Sequence, residues 1–130
     1  MLHFYRSFCS NTIKVGDRVI ITKKICKSDI YEFAQLTGDI NPVHLSRHPL
    51  VHGVYLAGLV SGVIGTKLPG YGSLLVSKYL RFPNACYAED EVKIEVEIKK
   101  IRKIITCEFC CSVDDRIVME GKADIIFKNI

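Results

Sequence analysis

From Glu91 to Ile101 the chain alternates, with Val92, Ile94, Val96 and Ile98 on one parity and Glu91, Lys93, Glu95, Glu97 and Lys99 on the other. A period of two marks a strand with one buried and one wet face. The same rhythm, less regular, runs through VGDRVIITKKI (15–25), SLLVSKYLRF (73–82), TCEFCCSV (106–113) and RIVMEGKADIIF (116–127), with Asp114-Asp115 as the hairpin turn between the last two. Two segments break it. SDIYEFAQLTG (28–38) places Ile30, Phe33, Ala34 and Thr37 on one helical face, with Ser28 or Asp29 as N-cap and Gly38 as stop signal. GVYLAGLVSGVIGTKL (53–68) is apolar nearly all round and ends at Pro69-Gly70, which predicts a helix buried on most sides. Gly58, Gly62 and Gly65 fall along one side of it, where a sheet or a ligand can approach the backbone closely. The economical fold is α+β, a long and mostly antiparallel sheet around one buried helix.

A chain of 130 residues with 48% hydrophobic and 25% charged content is one ordinary globular domain, so a single domain carries the function. The net charge of +4 is modest and has one local cluster, Lys99, Lys100, Arg102 and Lys103. That cluster reads either as a solvated strand face or as a landing patch for an acidic partner. No aromatic residues interleave with it, which argues against nucleic acid. Among the cysteines, strand alternation sends Cys107 and Cys110 to opposite faces, and no second ligand pair follows. No metal and no cofactor is therefore expected, and free thiols in a reducing compartment are the default.

The amino terminus carries Arg6, Lys14, Ser7 and Ser10 before its first acidic residue, Asp17. Residues 1–12 thus read either as a short mitochondrial presequence or as a cytosolic terminus, and 13–130 as the domain proper. The apolar stretch 50–66 is too short to cross a bilayer comfortably and contains His52, so no membrane association is expected.

Candidate chemistry concentrates in LTGDINPVHLSRHPLVHG (36–53). Asp39, Asn41 and His44 bring a carboxylate, an amide and an imidazole onto one irregular segment, preceded by Gly38 and stiffened by Pro42. An Asp/His pair can share a water molecule and move protons near neutral pH. His52-Gly53 opens the second helix, so the Gly53 N–H has no intrahelical acceptor and can polarise a carbonyl. Taken singly, Asp39 and Asn41 are turn formers, Pro42 fixes the loop and His44 satisfies a local carbonyl. Taken together, they are what proton transfer beside a carbonyl requires. His48 reads as a solvated loop residue.

FAQLTGDINPVH resembles the signature of the MaoC-like, R-specific enoyl-thioester hydratases and dehydratases. The similarity continues through VHGVYLAGLVSGVIGTKLPGYGSLLVSKYLRF and AEDEVKIEVEI, covers roughly residues 14–127, and is closest to the mitochondrial type 2 hydroxyacyl-thioester dehydratases within that family. The resemblance implies a hot-dog fold, in which a curved antiparallel sheet wraps a long central helix. It also implies reversible dehydration of (3R)-3-hydroxyacyl thioesters to trans-2-enoyl thioesters, on acyl carrier protein or CoA, in mitochondrial fatty acid synthesis in the matrix. Carried over by position, Asp39 and His44 are the catalytic pair, Gly53 the thioester-carbonyl donor, Ser61 a hydrogen-bonding support and Asn41 the residue that shapes the loop. A homodimer formed through sheet edges is implied too. One departure stands out: between His44 and His52 the chain lacks a piece equal to about two or more helical turns. Two further readings follow, an acyl-thioester-binding or dimerisation subunit without turnover, and a thioesterase or nucleic-acid-associated role on the same fold.

Overall fold

Five strands form one antiparallel sheet in the spatial order β1-β3-β4-β5-β2, where β1 is Arg18–Lys24, β2 Ser73–Arg81, β3 Glu91–Ile101, β4 Ile105–Val113 and β5 Arg116–Phe127. The computed structural model describes residues 13–128, and the presequence-like segment 1–12 lies outside the described residues. Alternation does what it predicts. Val92, Ile94, Val96 and Ile98 are fully buried, and with Ile105, Cys107, Phe109 and Cys111 of β4 they form the inner face. On β5 a bulge opposite Cys111 and Ser112 lets the neighbours Val118 and Met119 both turn inward. The hairpin turn at Asp114-Asp115 is as expected, with Asp114 in the left-handed region.

Two helices lie against this sheet, α1 at Lys27–Thr37 and α2 at Gly53–Thr66. The cap of α1 differs from expectation. Cys26, rather than Ser28 or Asp29, is the N-cap, and Asp29 sits inside the first turn, where its carboxylate accepts the Cys26 N–H at 2.9 Å. The reason is Ile25. It is fully buried and tied by backbone hydrogen bonds to Glu89 and Asp90, so the chain turns into the helix immediately after it. Gly38 ends α1 as predicted, with φ of 76° and its N–H on the Ala34 carbonyl.

The second helix also differs. Leu56, Ala57, Val60, Val63 and Ile64 pack on the sheet, and Lys78 of β2 donates to the Ala57 carbonyl at 3.1 Å. The opposite face is open: Val54 is 57% exposed, and Gly58, Ser61 and Gly62 are exposed as well. A Cβ added at Gly58, Gly62 or Gly65 would meet nothing within 4 Å. Five strands curl past one side of α2 only, so no strand of this chain covers the small-residue stripe. The basic cluster is divided, with Lys99, paired to Glu97 at 3.2 Å, and Lys100 in β3 and Arg102 and Lys103 in the turn to β4.

Candidate active site

Two short segments meet beside the start of α2. The first follows Gly38. Asp39 receives a hydrogen bond from Asn41 N–H at 3.4 Å, and the Asn41 side chain accepts the Val43 N–H at 3.3 Å. These local bonds set a one-turn 3-10 helix, Pro42–His44, in which Pro42 needs no N–H donor. Asn41 therefore shapes the loop, and the turn drives His44 inward while Asp39 stays about half exposed. The second segment is residues 50–53, the entry to α2.

The two segments are laced together by imidazoles. His44 Nδ1 donates to the Leu50 carbonyl at 2.6 Å, and His52 Nε2 donates to the Asp39 carbonyl at 3.0 Å. Since a carbonyl only accepts, both tautomers follow from these contacts. The rings stack with centroids 3.7 Å apart and planes 19° from parallel, and Phe33 of α1 meets His52 edge-on at 4.8 Å. With Nδ1 so engaged, His44 Nε2 faces Asp39 Oδ2 at 3.7 Å. That gap is too long for a direct hydrogen bond. It leaves both atoms available to a third group seated beside them and bonded to each.

The Gly53 N–H, at the first position of α2, has no acceptor among the described backbone hydrogen bonds. Gly53 is glycine for a steric reason, since a Cβ there would lie 2.7 Å from Phe82 Cε1. Gly53 and Phe82 open onto an apolar cavity of about 450 Å³ lined also by Val51, Leu56, Cys86 and Val118. Ser61 is not brought into the group within this chain. It lies on the exposed face of α2, about 12 Å along the axis from Gly53, and makes no hydrogen bond among the described residues. His48 is exposed, as read, and it also stacks on Tyr87 at 4.3 Å and lines a separate cavity of about 430 Å³ with Pro42 and Leu50.

Asp39, His44 and His52 are also the one group of metal-type ligands among the described residues, with ligand atoms within 4.8 Å of one another. His44 Nδ1 and His52 Nε2 are committed to carbonyls, which leaves His44 Nε2, an Asp39 oxygen and the buried His52 Nδ1. Sequence reasoning passed over His52. The available signal was an imidazole at an N-cap position where Ser, Thr, Asp or Asn is usual, and its side chain indeed makes no cap hydrogen bond.

A family model described as MaoC like domain matches residues 10–110. A 3-hydroxybutyryl-CoA dehydratase of Methylorubrum extorquens is 37% identical, covering 95% of this chain and 86% of the relative. A mitochondrial 3-hydroxyacyl-[acyl-carrier-protein] dehydratase of Solanum lycopersicum is 27% identical over 95% of this chain and 83% of its own length. Among solved structures, the (R)-hydratase from A. caviae involved in PHA biosynthesis superimposes with a TM-score of 0.85 at 29% identity, covering 91% of this chain and 99% of that one.

Proposed function

The chain belongs to the MaoC-like family and is a hydro-lyase of hot-dog fold; from that premise we propose that it catalyses the reversible dehydration of (3R)-3-hydroxyacyl thioesters to trans-2-enoyl thioesters, with Asp39 and His44 as the catalytic pair and Gly53 as the oxyanion donor. The observation that carries this reading is the 3.7 Å opening between Asp39 Oδ2 and the free Nε2 of His44. At that separation one water molecule or substrate hydroxyl seated beside the pair can reach an acceptor and a base, each at hydrogen-bond distance. In hydration, the pair takes one proton from this water as its oxygen bonds to C3, and C2 receives a proton. In dehydration the C2–H and C3–O bonds break and water leaves. Enolate-like charge on the thioester oxygen is met by the Gly53 N–H at the positive end of α2. The apolar cavity beside Gly53 suits the acyl chain.

Acyl carrier protein and CoA are both carriers consistent with the names of the relatives, and a mitochondrial fatty acid synthesis role draws support from the Solanum lycopersicum dehydratase and from the composition of residues 1–12. A homodimer draws support from the open stripe of α2 and from the edge strand β2, where Leu74, Leu75, Val76 and Tyr79 are exposed. The test is hydration of a short trans-2-enoyl-CoA, followed by loss of its ultraviolet absorbance, with the product configuration determined. Turnover to the (3R) product is expected, with Asp39→Asn and His44→Ala each lowering kcat by about 10²–10⁴-fold. A folded wild-type chain without turnover would instead favour an acyl-binding subunit in which the short 45–51 connection has cost the activity.

A further inference from the structure

We infer that His52 is a positioning residue of the reaction centre, the second half of a crossed clasp that holds Asp39 opposite His44; the inference rests on the reading of Asp39 and His44 given above. Each imidazole grips the segment it does not belong to. His44, on the catalytic turn, bonds Leu50 at the entry to α2, while His52, at that entry, bonds Asp39 on the catalytic loop. The two bonds and the ring stack close a circuit around residues 39–52. Cutting one bond frees one side of the pair from the other.

Burial shows that the bond, more than the packing, explains a histidine at this position. His52 is 1% exposed, and its Nδ1 is buried with no hydrogen-bond partner. A phenyl ring would leave no orphaned nitrogen between Phe33 and His44, so packing an aromatic ring there does not by itself call for histidine. What phenylalanine lacks is the Nε2–H donor on the Asp39 carbonyl. That carbonyl belongs to the residue whose carboxylate faces His44, so a shift of the backbone there moves the carboxylate directly. Because the connection from His44 to His52 is short, the clasp also fixes the register that a longer segment would otherwise support.

The experiment compares His52→Gln, whose side-chain amide can place a donor near Nε2, with His52→Phe, which keeps the ring and loses the donor. In enoyl-CoA hydration His52→Phe should lose about 10²-fold in kcat, the cost of a displacement near one ångström, with KM within about twofold, since the acyl cavity is untouched. His52→Gln should recover at least a tenth of wild-type kcat. His52→Phe with near wild-type kcat overturns the inference, as does His52→Gln falling as far as a folded His52→Phe. Should the phenylalanine variant not fold, nitrogen-15 NMR of the wild-type imidazoles at alkaline pH decides, because a neutral ring then reports its tautomer. Nε2–H at His52 with Nδ1–H at His44 supports the clasp, and Nδ1–H at His52 refutes it. An inactive wild type with these same tautomers would instead strike at the dehydratase reading and leave the clasp standing.

Discussion

Gly53 answers to two demands at one atom, an N–H free at a helix start and no side chain under the Phe82 ring. Alanine at this position should hardly disturb the fold, because Ala suits a first helical turn and Phe82, 47% exposed, can swing aside. The ring is also a wall of the apolar cavity, so its displacement should be felt by the substrate. Gly53→Ala is expected to keep its thermal midpoint within about 4 °C while losing at least about tenfold in kcat/KM, and Gly53→Ala combined with Phe82→Ala to regain part of that loss. A variant as active as wild type would remove Gly53 from the site. Asp39, Asn41, Pro42 and His44 stand out in the sequence as candidates because each is a residue type with few structural substitutes in a tight turn, and Gly53 because it opens the apolar helix. His52 does not, because what it serves is a main-chain carbonyl thirteen positions away, and backbone atoms carry no letter in a sequence.

The central strand β4 joins the periodic pattern to the chemistry of the core. Its Cys107 and Cys111 point inward as alternation predicts, and Cys86 joins them; all three are 3% exposed or less. Burial pushes each thiol from 9.0 up to about 12. The unfolded chain therefore releases these protons above pH 9 while the folded chain keeps them to about 12, so stability must fall as pH rises through that window. Under reducing conditions, urea titration should find the protein less stable near pH 10 than near pH 8, by on the order of 1 kcal/mol for each thiol. Cys107→Ala should cost stability at both pH values and remove about a third of the slope; an unchanged slope would show that the thiol is not held back by burial. Strand parity was legible because it repeats without a break from Glu91 to Lys99 of β3. The start of α1 was not, since the deciding feature is the pairing of Ile25 with Glu89 and Asp90, contacts distant in sequence.

At the scale of the molecule, the α+β arrangement of an antiparallel sheet around one helix follows from the order of periodic segments and its hot-dog form from the resemblance, while the exposure of α2 follows from neither, because apolar periodicity says that a face is to be covered without saying by what. Val54, Gly58 and Gly62 stand open on one side of α2, and β2 ends the sheet with its outer edge paired to no other strand among the described residues and four large apolar side chains exposed. The other edge, β1, is guarded by Arg18, Lys23 and Lys24, the usual defence against edge pairing. A second copy related by a two-fold axis would pair β2 with β2 and lay one glycine stripe against the other, which lets two helices approach closely. A stable interface of this kind buries about 800 Å² on each partner. Light scattering at micromolar concentration should therefore give twice the 14.7 kDa chain mass. Gly62→Arg, which meets no atom of its own chain within 4 Å of its Cβ, should fold and run as a monomer, whereas Thr22→Arg on β1 should remain a dimer. A dimeric Gly62→Arg with monomeric Thr22→Arg would move the interface to the opposite edge of the sheet.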